Sequence, residues 1–550
     1  MFPYTEERFS PEEEAVLRRY VTNLDQPVFA LVNLPEVVKG ALFARYSRSP
    51  KSLRRLFLDE FVGDLDVSGD AGVDATVGLE RAESLYERVF FEYGDDSVAQ
   101  LGGVHLACEQ ASNVLTKVLE RGRLMAYLEQ STRYIGYDAR LPSGHYRYFR
   151  PPEILESSLG ARYVGEMDRM FDTYADLLPQ LQTWVAARHP KRPEDSDFVH
   201  RQAVRAKALD ALRGLLPAAS LSNVGIYGTA QSYELLLLRM RAHPLPEARQ
   251  YAAMMLTELR KVIPSFLSRV DLPDRGVAWT DYFVATEEAT ARVVDRLWPD
   301  PGAVDRSPAV RLLDFDPRGE DKVLAAACFP HTGVSESEAL ERVGRLSADE
   351  RAELVAAYVG ERGNRRHRPG RAFERTDYRF EIVTDYGAFR DLQRHRMLTV
   401  EWQPLSTSLG FDVPPLVVEA GLEGPFTESI ERSRELYDAL LVDHAAQASY
   451  AVALEFRIRY VMQMNAREAL HLIELRAGPQ GHPSYRAVAH DMFHAIDEVA
   501  GHHAIAAAMR HVDFGTTDLE RLESERRAES KRSSRAPAAP KKDAGNSATS

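Results

Sequence analysis

The chain has 550 residues, 44% of them apolar and 27% charged, which is ordinary globular composition and too long for one hydrophobic core, so two or three domains are expected. A net charge of -13 argues against a general polyanion binder, so no nucleic-acid polymer is expected as a partner and any phosphate ligand must be held by a local cluster of arginines. Two cysteines, Cys108 and Cys328, have no CxxC partner, no apolar run approaches the ~20 residues of a membrane span, and no basic-then-apolar leader opens the chain, so a cytoplasmic protein with no membrane partner is expected.

Residues 10 to 62 read as helices, opening on Ser10-Pro11-Glu12-Glu13-Glu14, a cap followed by proline and acids in the first turn. The first stretch dense in chemistry runs from Arg121 through Gly122, Arg123, Glu129, Ser131 and Arg133 to Tyr134. Three arginines, a carboxylate, a hydroxyl and a phenol so close together are suited to gripping an anion. Tyr148-Phe149-Arg150-Pro151-Pro152 follows, and from about 154 to 270 the apolar spacing is helical, broken by a polar loop at His189 to Asp195. That span carries Arg213-Gly214-Leu215-Leu216-Pro217 and Leu235-Leu236-Leu237-Leu238-Arg239. Breakers between Leu297 and Pro308 predict a linker at 296–308.

Beyond the linker the same landmarks return. Val310 to Phe315 and the alternating Tyr378 to Val383 read as strands, and Val323 to Phe329 is the counterpart of Gly40 to Ser47. Arg394-His395-Arg396 repeats the start of the arginine stretch, and Gly410-Phe411 leads to Pro414-Pro415. Asn465 to Arg476 predicts a helix on which Arg467 and His471, spaced i,i+4, share one face. Further on, His490, His494, Glu498 and His502 recur every four residues, a stripe suited either to a metal or to a polar packed face. Past Gly515 the chain is charged and then rich in Ala, Pro, Lys and Ser, which predicts a disordered tail over 516–550. The chain therefore reads as a helical extension (1–39), a first repeat (40–295), the linker, a second repeat (309–515) and the tail.

These motifs resemble the flavin-dependent thymidylate synthases, whose signature runs Arg-His-Arg and then Glu-x-Ser-x-Arg-Tyr. The first repeat matches in register except for Gly122 at the His position, whereas the second keeps Arg394-His395-Arg396 but has Trp402, Pro404 and Ser406 at the later positions. Gly94 to Gln100, with Asp95, stands where the family carries a Gly-His-x-Ser turn. The resemblance implies an α+β fold of two tandem thymidylate synthase-like domains, each a small sheet packed with long helices. It implies an enzyme that methylates dUMP to dTMP, with FAD as cofactor and with NADPH and methylenetetrahydrofolate as co-substrates.

By the same resemblance Arg394, His395, Arg396, Asn465, Arg467 and His471 contact FAD. Arg121, Arg123, Glu129, Ser131, Arg133 and Arg213 hold the nucleotide, and Arg239 and Arg476 act on the pyrimidine. The first repeat has Gly228, Ala230 and Glu234 at the three flavin positions, and the second has Ser449 and Ala453 where the first has Arg213 and Pro217, so the losses are complementary. Family members are homotetramers with shared sites, so a homodimer of this chain would form a pseudo-tetramer. Two alternatives stay open: a nucleotide- or flavin-binding homologue without turnover, and a related pyrimidine modification such as hydroxymethylation.

Overall fold

Four times in the chain a strand runs straight into a helix, and each time the strand's last residue caps it. Ser112 Oγ accepts from Leu115 N at 3.0 Å, Thr229 Oγ1 from Ser232 N at 3.3 Å, Asp385 Oδ1 from Ala388 N at 2.8 Å, and Asn465 Oδ1 from Glu468 N at 2.9 Å. Each such cap satisfies an amide that the helix cannot, a stabilisation of about 1 kcal/mol. The duplicated grammar is thus a strand, a capped helix, a short strand, a long helical excursion, and a second strand with its capped helix.

The computed structural model describes residues 7–25, 29–46, 51–60, 62, 100–299, 302, 304–307, 309–515 and 519–535. The turn expected around Asp95 lies outside them, as do residues 536–550 of the tail. The chain forms two compact units, residues 1–130 with 221–304, and residues 131–220 with 305–550.

In the first unit β1 (Gly103–Ser112), β2 (Met125–Glu129) and β3 (Leu221–Thr229) form an antiparallel sheet in the order β1-β3-β2. Strand β3 falls inside the span read as helical. Its inward residues Val224 and Ile226 are buried, but Gly225, Gly228 and the small residues before them dilute the alternation that marks a strand. Helices Ala230–Ala242 and Pro246–Leu259 follow, and Ala278–Leu297 carries the helix to the edge of the predicted linker.

The second unit holds an antiparallel sheet of β4 (Ala309–Phe315), β5 (Asp377–Asp385), β6 (Thr399–Trp402) and β7 (Arg457–Asn465), ordered β4-β5-β7-β6. Tyr378, Phe380 and Ile382 of β5 and Tyr460 and Met462 of β7 are buried on the core face. The unit also takes in the helical excursion of the first repeat, Ser131–Ser220, so the compact units cut across the repeats. The reason is pairing between equivalents. Helix Gly160–Arg188 packs on its counterpart Glu423–Asp443, where Arg432 forks onto Glu166 with both bonds at 2.9 Å. After each helix, the segments around Leu216 and Ala453 bond antiparallel, Ala218 N to Val452 O at 2.8 Å and Leu454 N to Leu216 O at 2.9 Å. Gly214 makes this approach possible, since a Cβ there would collide with the Glu455 carboxylate.

The tail begins as structure. Leu522–Arg535 is a helix against Asp197–Leu212, with Arg526 forked onto Asp195 at 2.6 and 3.1 Å and Lys207 on Glu520 at 2.8 Å. Composition predicts disorder there because the helix has almost no apolar face; the ion pairs of Arg526 to Asp195, just before helix Asp197–Leu212, and of Lys207 to Glu520, just before the tail helix, hold it instead.

Candidate functional site

The exchanged helical excursion brings arginines from both repeats into one cluster within the second unit. Arg133 sits just past a turn in which Ser131 Oγ accepts from Arg133 N at 3.2 Å. Its buried guanidinium forks onto Asp210 at 2.8 and 2.6 Å and donates to Tyr485 Oη at 2.5 Å and to Gln480 O at 3.1 Å. Arg213, at the end of helix Asp197–Leu212, points Nη1 at Asp391 Oδ2 (3.3 Å) and Nη2 at Asp385 Oδ1 (3.5 Å). Gly387 leaves room for it, since a Cβ there would stand 3.0 Å from Arg213 Nε.

From the second repeat, Arg394 binds Asp391 Oδ1, and Arg476 donates Nη2–H to the Asp391 carbonyl while its Nη1 lies 3.8 Å from Asp391 Oδ1. Burial alone would raise the Asp391 carboxyl, but Arg394, Arg476, Arg213 and Arg133 outweigh it and hold it far below the usual carboxylate range. A fifth guanidinium, Arg521, donates to Arg133 O at 2.9 Å, reaches Asp210 Oδ1 at 3.4 Å and lies 4.0 Å over the Tyr134 ring. Asp210 thus serves two cations; burial raises its carboxyl, and Arg133 pulls it below the ordinary value.

Arg476 also leads to the flavin positions of the resemblance. Its Nε–H donates to His395 Nε2 at 3.0 Å, which leaves Nδ1–H of the neutral ring to donate to Glu468 Oε1 at 3.1 Å. Burial, followed by Arg476, holds His395 well below its ordinary pKa. His471 accepts from Arg368 Nη2 at 3.2 Å, and burial with Arg368 lowers it to about 4. Burial lifts the Glu468 carboxyl to about 7, with Arg368, Arg467 and Arg396 opposing. The ligand atoms of His395, Glu468 and His471 lie within 4.8 Å of one another. A cation is disfavoured there all the same, because arginines already occupy the imidazole lone pairs and surround the group. An anion is favoured. Arg467 donates Nε–H to Pro369 O at 2.9 Å, and Asn465 Oδ1 is committed to its helix cap. Arg396 is exposed at the edge.

The structure therefore brings together Arg133, Arg213, Arg394, His395 and Arg476, with Ser131 shaping the turn. Arg121, Arg123, Glu129 and Arg239 belong to the first unit. There Glu129 is buried against Lys117 at 3.3 Å, Arg121 and Arg123 are exposed in the turn before β2, and Arg239 is exposed on helix Ala230–Ala242.

The histidine stripe does not converge. His490 meets Asp513 O at 2.8 Å, His494 pairs with Glu498 at 3.1 Å in solvent, and His502 bridges Tyr378 Oη (2.6 Å) and Asp316 O (3.0 Å). The helix widens to a π turn over Ala495–Val499, so spacing of four no longer keeps one face. Sequence reasoning missed Asp210, Asp391, Glu468, Arg368 and Arg521. Only Asp391 carried a signal, three residues before Arg394 on the same side of a turn.

A family model described as Thymidylate synthase complementing protein matches residues 48–265 and again 311–501. The chain belongs to that family. Its two matched segments stand in tandem, as the repeated landmarks predicted. A UPF0159 protein of Chlamydia muridarum is 39% identical over 529 residues, covering 94% of this chain and 98% of its own length. Another from Thermoplasma acidophilum is 32% identical, covering 88% and 97%. A flavin-dependent thymidylate synthase of Clostridium tetani is 24% identical over 188 residues, 34% of this chain and 70% of its own. Among solved structures, a UMP/dUMP methylase of Streptomyces cacaoi bound with 5-Br dUMP matches with 19% identity and a TM-score of 0.31, covering 38% of this chain and 98% of that one. No helix among the described residues is long and apolar enough to cross a membrane.

Proposed function

We propose that the chain is a flavin-dependent enzyme that methylates dUMP to dTMP, its nucleotide held by the arginine cluster shared between the repeats. The observation that carries this reading is the charge of that cluster. Five guanidiniums, those of Arg133, Arg213, Arg394, Arg476 and Arg521, face three carboxylates, those of Asp210, Asp385 and Asp391, a positive excess that favours an anionic ligand such as a phosphomonoester. A fixed guanidinium such as that of Arg476 also polarises a pyrimidine carbonyl without giving up its proton.

FAD fits the neighbouring positions on charge. Its pyrophosphate is an anion, and Arg368, Arg396 and Arg467 surround Glu468 while His395 and His471 stay neutral donors and acceptors. His395, Arg396, Arg467 and His471 would hold it, with Asn465 shaping the helix start, while Arg394 is taken up by the Asp391 cluster. Bound flavin supplies the relay of reducing equivalents from NADPH and of the one-carbon unit from methylenetetrahydrofolate. This chain's residues bind, orient and neutralise. A homodimer forming a pseudo-tetramer would bring Arg121, Arg123, Glu129 and Arg239 to composite sites.

The test is the visible spectrum of freshly purified protein, followed by product mass from dUMP with NADPH, methylenetetrahydrofolate and FAD. A yellow protein yielding dTMP supports the reading, and a colourless one that takes up no added FAD ends it. A second reading, nucleotide binding without turnover, is favoured by the internal carboxylates that already partner these arginines. Binding of dUMP with no dUMP-stimulated NADPH oxidation would establish it, and a hydroxymethylated product would redirect the assignment within the family.

A further inference from the structure

Asp391 sits in an unusual place for a carboxylate. It lies in the last turn of helix Tyr386–Leu392, where the helix dipole favours cations over anions, so the helix gains nothing from it. Its neighbours explain it instead. Oδ1 takes Arg394 and faces Arg476 Nη1 at 3.8 Å, and Oδ2 faces Arg213 Nη1 at 3.3 Å. Charge-assisted N–H···O bonds run about 2.7–2.9 Å, so the carboxylate grips only Arg394 closely; Arg213 stands off, and Arg476 is anchored through the Asp391 backbone carbonyl instead. Two carboxylate oxygens are shared among three guanidiniums, which a ligand with three terminal oxygens would satisfy more fully. The Asp391 side chain keeps 13% of its surface exposed, so it is not sealed off completely.

We propose that Asp391 is a resident counter-anion of the phosphate subsite: it keeps Arg213, Arg394 and Arg476 in register until a phosphate arrives and takes its place. This rests on the reading of the cluster as a phosphate site and adds a mechanism for its selectivity. Binding is then an exchange of one anion for another. A ligand carrying two negative charges displaces Asp391, whereas a neutral nucleoside gains nothing from the arginines while the carboxylate stays. Affinity for the phosphate group is moderate, because the site is never electrostatically vacant.

Titration calorimetry of the full chain with inorganic phosphate, and separately with dUMP, tests this. Asp391→Asn removes the competing charge and should bind inorganic phosphate at least tenfold more tightly than the wild type. Asp391→Glu keeps the charge and pushes it into the ligand's place, so it should bind phosphate more weakly than the wild type. Unchanged or weaker phosphate binding by a folded Asp391→Asn variant overturns the proposal. Should that variant not fold, unchanged or tighter binding by Asp391→Glu overturns it. The two readings separate cleanly: phosphate tightening in Asp391→Asn without any dUMP binding upholds the counter-anion and removes the nucleotide, while dUMP binding by the wild type with no phosphate tightening does the reverse.

Discussion

Glu468 should make the second unit's stability fall as pH rises through the neutral range. Its carboxyl is buried beside His395, and burial lifts it to about 7 from an ordinary 4.5. Between those values the folded protein keeps a proton that the unfolded chain has lost, so each step up in pH costs the native state. Across the interval the loss is ~3 kcal/mol, since one bound proton is worth about 1.4 kcal/mol for every tenfold fall in proton concentration. Below pH 4.5 both states are protonated and the cost vanishes; above pH 7 it is complete. In Glu468→Gln the amide Oε1 can still accept from His395 Nδ1–H, and the titration is gone. The variant should therefore gain ~3 kcal/mol on the wild type between pH 4.5 and pH 7.5, other groups cancelling in the difference. Urea unfolding followed by tryptophan and tyrosine fluorescence at several pH values measures it. A difference between the two proteins that does not change with pH refutes the argument that burial governs this carboxyl.

Asp210→Ala leaves Arg133 and Arg521 buried without their carboxylate and should cost ~3–5 kcal/mol, while Arg133→Met and Arg521→Met combined with Asp210→Leu should recover most of it in the same unfolding assay. Gly387→Ala places a methyl 3.0 Å from Arg213 Nε and should weaken dUMP binding roughly tenfold, a loss of about 1.4 kcal/mol, read by calorimetry against a smaller change in melting temperature. Arg521→Ala removes the bond to Arg133 O and the contact with Tyr134, and should weaken dUMP binding several-fold with the helix Leu522–Arg535 still protected from proteolysis. Arg467→Ala should lower FAD uptake, seen as loss of yellow colour on purification, while leaving dUMP binding within about twofold.

The sequence by itself determined the duplication, the arginine stretches and the helix that presents Arg467 and His471, because these rest on spacing within a few turns of chain. Local order also set the strand-ending caps at Ser112, Thr229, Asp385 and Asn465. Strand β3 escaped because its glycines and small residues blur the two-residue period, and the helix Leu522–Arg535 escaped because ion pairs rather than an apolar face secure it. What only the tertiary structure decided is which charges meet. Arg133 finds Asp210 across 77 residues and Tyr485 across 352, and Arg213 finds Asp391 across 178, through the packing of the first repeat's helical excursion against helices of the second. A carboxylate's attraction falls with distance in space and is indifferent to distance along the chain, so the sequence pairs Asp391 only with Arg394 and the fold alone brings Arg213 and Arg476 to it.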